Sequence, residues 1–138
     1  MRLTAVYILP YVLVKALAYI AWCYVGVRWF QPDNHSPGAA AIALGLGRLL
    51  LGVGLGLVIF VAALTMNNAT RNAPLTYAAI YVPVRVIEWS IWYLFVRHRG
   101  SAVRTPLWII GGVIISCIAD LPIGIAEHGV VPVGRPFC

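Results

Sequence analysis

Four long apolar runs, each separated from the next by a short polar stretch, dominate the chain. The first covers residues 6–30, with Pro10 in its opening turns and Arg28, Trp29 and Phe30 at its close, an aromatic and basic group suited to a membrane interface. The next stretch, QPDNHSPG at 31–38, is rich in turn formers and reads as a loop. A second run covers 39–64, and TMNNATRNAP at 65–74 reads as a polar loop. The third run covers 75–96, with Pro83 as a kink and Arg97, His98 and Arg99 as its stop. After a short loop ending at Thr105 the fourth run covers 106–126, with ADLPIG inside it, and a Pro- and Gly-containing tail follows from Glu127 to Cys138.

An apolar helix needs roughly 20 residues to cross about 30 Å of hydrocarbon. Four such spans with short connections use nearly all of the 138 residues. The expected fold is therefore an all-α integral membrane protein, a four-transmembrane-helix bundle with short loops, forming a single membrane domain. Composition agrees: 62% of residues are hydrophobic and 10% charged, a balance far from that of a soluble domain. The first run begins almost at once but is too long for the apolar part of a signal peptide, and it reads as a retained helix.

The net charge of +6 does not point to nucleic acid. Its arginines are scattered singly within or at the ends of apolar runs, forming no basic stripe, so anchoring at the lipid interface accounts for them. The third loop side carries Arg28, Arg97, Arg99 and Arg104 against Arg2, Arg71 and Arg135 on the other. That bias leans towards a cytoplasmic third loop with both termini outside, in a bacterial inner (cell) membrane.

The second run contains GLGRLLLGVGLG, with Gly45, Gly47, Gly52, Gly54 and Gly56 flanking Arg48. A phosphate loop needs a strand and a turn before a helix, which an uninterrupted apolar run does not provide. Gly52 and Gly56 are four apart and share a helical face, so the expectation is a small-residue groove for a packed helix, in this chain or in a partner.

Five ionisable residues fall inside the runs: Lys15, Arg48, Arg85, Glu88 and Asp120. Each costs about 2.5–3.5 kcal/mol at the centre of a span, so such groups turn inward and pair or line a wet cavity. At 1.5 Å rise per residue, measured from the face of the second loop, Asp120 lies at about 9 Å, Lys15 at about 13 Å, Arg85 at about 15 Å, Glu88 at about 20 Å and Arg48 at about 24 Å. Asp120 is thus within reach of Lys15 or Arg85, and Glu88 of Arg48. Arg85 and Glu88, three apart, share a face and are a further candidate pair. Three cations facing two anions leave one positive charge for an anionic group to neutralise. Pro122, close behind Asp120, is expected to open the fourth helix and free backbone groups near the carboxylate.

Other residues add little. Cys23, Cys117 and Cys138 have no metal or redox spacing, and His35, His98 and His128 form neither a metal site nor a triad. No cofactor or metal is expected. Ser90 and Ser116 read as helix back-bonders, and Trp89, Trp92, Tyr93 and Phe95 as an interfacial belt. The asparagines of NHS at 34–36 and NAT at 68–70 match the glycosylation acceptor pattern only by chance.

The functional expectation is an intramembrane charged site for an anionic or amphiphilic, lipid-like substrate. Arg48, Arg85 and Lys15 would bind it, and Glu88 and Asp120 would orient the cations or serve as catalytic acid or base in a small membrane enzyme. The alternatives are an accessory subunit that packs through Gly52 and Gly56, or a small oligomeric transporter. Hydrocarbon as solvent has a direct consequence: the purified chain should need detergent or lipid to stay dispersed, and a monodisperse sedimentation profile in plain buffer contradicts this reading.

Overall fold

The computed structural model describes residues 3–97 and 103–126. Among them it is all-helical, with four helices long and apolar enough to cross a membrane, at Leu9–Phe30, Pro37–Gly56, Pro74–Val96 and Arg104–Leu121. Arg2, His98, Arg99, Glu127, His128, Arg135 and Cys138 lie outside the described residues.

The first helix, Leu3–Phe30, carries its buried side chains four or three apart: Tyr11, Lys15, Tyr19, Cys23, Val27 and Phe30. On the second helix, Pro37–Thr70, the buried positions are Ala41, Gly45, Arg48, Gly52, Gly56 and Ile59. The fourth helix, Arg104–Ala126, buries Trp108, Gly112, Ser116, Ala119 and Asp120. Such stripes place one narrow face of each helix at a common axis. The opposite faces are apolar and open: Leu17 is 67% exposed, Leu50 72% and Ile118 58%, while Arg48 and Glu88 are 0% exposed. This reverses the usual rule that charges sit outside and leucines inside.

The first helix packs against the second and fourth, the third packs against the fourth, and the start of the third meets the second. Glycines set these approaches. A Cβ on Gly45 would strike the backbone of Ile20, so the first and second helices cross nearly backbone to backbone. Between the first and fourth helices the contact is reciprocal. Trp22 lies on Gly111 and donates its indole N–H to the Trp108 carbonyl at 2.9 Å, while Trp108 lies on Gly26 and donates to the Trp22 carbonyl at 3.2 Å. Trp89 of the third helix covers Gly112. With Phe30, Tyr93 and Val96 these rings close the end of the bundle nearest the first and third loops, and Phe30, Trp89 and Tyr93 all make ring contacts with Trp108.

Three expectations are corrected. The stretch 65–74 is not a loop: the second helix continues to Thr70, and the Thr65 hydroxyl donates to the Val61 carbonyl at 2.9 Å. The reversal is confined to two residues. Arg71 adopts a left-handed φ of 51°, and Asn72 caps the next helix by accepting the Leu75 N–H at 3.1 Å, with Pro74 in the first turn, where no donor is missed. Secondly, Pro122 does not open the fourth helix, which runs on as α-helix to Ala126. Thirdly, Trp89 does not belong to an interfacial belt. It is fully buried, four residues from Arg85 on the same face, whereas Phe95 is 63% exposed.

The third helix is made of Ala73–Thr76, a π-helical turn Tyr77–Tyr81 and Val82–Val96. Pro83 has no N–H to give, and the preceding turn widens so that the Val82 N–H reaches the Tyr77 carbonyl, five residues back. At the position where a kink is expected, the structure shows a π-turn just before the proline. One extra residue per turn rotates what precedes it by about 100°. Tyr77 and Tyr81 then stack with centroids 5.2 Å apart, and Tyr77 reaches the interior.

The loop 31–36 is held by an Asx turn in which Asn34 accepts the Ser36 N–H at 2.9 Å and donates to Gln31 at 2.9 Å. Gln31 in turn donates to the Val96 carbonyl at 2.9 Å, tying the first loop to the end of the third helix. Gly45→Leu is expected to lower stability in detergent by about 1–3 kcal/mol, because the opposing backbone cannot retreat. Gly54→Ala, where the added carbon meets nothing within 4 Å, should be neutral or stabilising by up to about 1 kcal/mol. Thermal unfolding of both variants checks the pair.

Candidate functional site

All five ionisable residues singled out in the sequence point into the bundle and are buried: Lys15, Arg48, Arg85, Glu88 and Asp120. They form two layers beneath the aromatic end.

The layer nearer the second loop is built around Asp120. Its Oδ1 accepts the Tyr11 hydroxyl at 2.8 Å and pairs with the Lys15 ammonium at 2.8 Å. Its Oδ2 accepts the Tyr77 hydroxyl at 3.0 Å and a guanidinium N–H from Arg85 Nη2. Four donors from the first and third helices thus meet one carboxylate of the fourth, filling the roughly four lone-pair sites such a group offers. The rings that carry the hydroxyls also flank the cations, with Lys15 Nζ 4.9 Å from the centre of Tyr11 and Arg85 5.7 Å from that of Tyr77. Cation–π attraction is largest where water is excluded.

The second layer is the Arg48–Glu88 pair, fully buried, joined through Nη2 and Oε2. The guanidinium of Arg48 sits between two aromatic faces, 5.2 Å from Tyr19 and 5.3 Å from Trp89. These two rings meet edge to face at 5.8 Å, and the Trp89 indole donates to the Ser116 hydroxyl at 3.0 Å. Ser116 therefore has a partner on a neighbouring helix, whereas Ser90 back-bonds to the Val86 carbonyl at 2.7 Å as expected.

The depth ruler placed Asp120 near Lys15 or Arg85, and the structure brings both cations to it. It placed Glu88 near Arg48, and these are paired. Arg85 and Glu88 do not pair with each other: each faces a carboxylate or guanidinium on a neighbouring helix instead. Sequence reasoning missed Tyr11, Tyr19 and Tyr77. Their spacing carried a signal, since Tyr11 and Tyr19 stand four residues on either side of Lys15 and Tyr81 four before Arg85. Tyr77 was hidden by the π-turn, which rotates it onto a face that straight helical spacing does not assign.

Several buried polar atoms in and around the two layers have no hydrogen-bond partner: Nε and Nη1 of both Arg48 and Arg85, Oε1 of Glu88, the Tyr19 hydroxyl and the Trp92 indole N–H. Buried polar groups are rarely left so. Each arginine spends only Nη2 on its carboxylate and keeps its remaining donors inside the bundle. Among the described residues no group of three or more His, Cys, Asp or Glu side chains is arranged to hold a metal ion.

Compared with family models, with curated proteins and with solved structures, the chain finds no match.

Replacing Asp120 by Asn should destabilise the bundle by about 3–5 kcal/mol, because Lys15 and Arg85 lose their counter-charge while remaining buried. Tyr77→Phe should cost about 1.5–3 kcal/mol, the worth of one hydrogen bond to a charged group. Unfolding by SDS titration, followed through tryptophan emission, reads both values, and an Asp120→Asn variant as stable as the parent contradicts the assignment of Asp120 as the hub.

Proposed function

We propose that the chain is an integral membrane protein of the cell membrane whose interior charged site binds an anionic or amphiphilic molecule. Support for the membrane comes from the inverted surface, apolar outside and ionised within, which is stable only where the surrounding solvent is itself apolar. The side bearing Arg28, Arg97 and Arg104 is the cytoplasmic one in this reading.

The observation that carries the binding proposal is the sharing of one carboxylate, Asp120, by two cations, Lys15 and Arg85, while Arg85 keeps two nitrogens unpartnered in the bundle interior. An ion-pair network that served only to hold helices in register would be expected to use those donors, because each unsatisfied buried group costs about 1–3 kcal/mol. An incoming oxyanion would satisfy them and neutralise the surplus charge. Asp120, with its lone pairs occupied, acts in this reading as the group that positions Lys15 and Arg85. Glu88, with Oε1 unengaged, is the carboxylate open to a ligand or a proton. The reading as a subunit docking through Gly52 and Gly56 draws less support, since both glycines are buried within the chain.

Native mass spectrometry of the detergent-solubilised protein with added anionic lipid tests the proposal. Arg85→Ala and Arg48→Ala should each lower occupancy at least about tenfold, the loss of one charge-assisted hydrogen bond. Unchanged occupancy in both variants removes the proposal.

A further inference from the structure

Resting on the anionic-site reading, the arrangement of the unpartnered atoms narrows the ligand. Three helices contribute them. Tyr19 comes from the first, Arg48 from the second, and Arg85 and Glu88 from the third. The Tyr19 ring lies against Arg48, and Arg85 stands about one helical turn from Glu88 on the same face of the third helix. Its hydroxyl is buried and without a partner, as are Nε and Nη1 of each arginine. Three helices thus contribute unpartnered donors, and among the described residues the one unpartnered buried carboxylate oxygen is Glu88 Oε1.

We propose that Tyr19, Arg48 and Arg85 form a site for a phosphate monoester, with Glu88 Oε1 accepting the hydrogen of its P–OH group. The donor set favours a tetrahedral oxyanion, whose three outer oxygens accept from several directions, over a planar carboxylate. The unpartnered carboxylate oxygen, which when ionised can only accept, separates the phosphates. A monoester, with a second pKa near 6, retains a P–OH in about half of molecules near pH 6 and in about a tenth at pH 7. A phosphodiester or a fatty-acid carboxylate at that pH has no acidic proton to offer and would bring its charge against Glu88. The charge balance agrees, because the five interior residues sum to one positive charge, three cations against two anions, and a singly protonated monoester carries one negative charge. Such a group can arrive as a lipid head group or as free phosphate.

The test uses the full chain in neutral detergent with dioleoylphosphatidic acid, dioleoylphosphatidylglycerol and oleate as probes, and inorganic phosphate as competitor. Binding is read by the emission of Trp89, which touches Arg48, and by native mass spectrometry. Phosphatidic acid should bind about tenfold more tightly than the other two, and Tyr19→Phe should weaken phosphatidic acid about tenfold while leaving oleate unchanged, one hydrogen bond to a charged group being worth about that factor. Arg85→Lys, which keeps the charge but not the planar donor fork, should erase the preference. Displacement of phosphatidic acid by inorganic phosphate at similar concentration assigns the site to the free ion, and failure to displace it assigns the site to the lipid head group. Equal binding of all three probes, or an unaltered Tyr19→Phe variant, overturns the phosphate assignment, internal water then sufficing for these atoms, and leaves the anionic site standing. Binding of none of the three overturns both.

Discussion

A single carboxylate organises the interior. Asp120 on the fourth helix gathers a lysine and a tyrosine from the first helix and an arginine and a tyrosine from the third. Taking a charge out of water is expensive, and the attraction between opposite charges compensates only when the geometry is good and the remaining lone pairs are filled. Both conditions are met at Asp120. The convergence requires each helix to present one particular face at one particular depth, so the register of three helices follows from it.

The rest of the bundle is arranged to leave that constraint undisturbed. Glycines at the crossings let the helices approach closely enough for short polar side chains such as aspartate to reach across, and the large indoles fill the space on the far side. The Arg48–Glu88 layer differs in character. It is paired but undersupplied, with donors and a carboxylate oxygen left over, and Arg85 in the Asp120 layer likewise keeps Nε and Nη1 unpartnered. The Asp120 carboxylate is fully engaged, whereas both arginines and Glu88 still have hydrogen bonds to make, and the functional reading rests on those three.

Much of this was legible from the sequence. The number of helices followed from span length, and the partners of Asp120 and Glu88 followed from depth along the chain, because the rise per residue is fixed and charges in an apolar run have few places to go. What escaped were features governed by rotation and by capping. Tyrosine at membrane depth is equally at home at an interface or in the interior, so Tyr11 and Tyr19 gave no decisive signal until neighbouring helices were in place. Tyr77 depends on one extra residue in a turn ahead of Pro83. The polar residues from Thr65 to Thr70 looked like loop by composition, yet a left-handed Arg71 and the cap at Asn72 compress the reversal into two positions. Trp89 was ambiguous for the same reason as the tyrosines, and the glycine it covers, Gly112, lies on another helix.

The paired tryptophans carry a mechanical consequence. Trp22 and Trp108 each rest on the other helix's glycine and bond to the other's backbone, so sliding or rolling between the first and fourth helices would break two contacts at once. Gly45 against Ile20 similarly fastens the second helix to the first, and Trp89 over Gly112 fastens the third to the fourth. The seam between the second and third helices has its own such contact, Trp92 over Gly47, beside the Arg48–Glu88 pair and the packing of Ile59 against Tyr81. With a glycine contact at every seam, turning any one helix about its axis would have to break such a contact first.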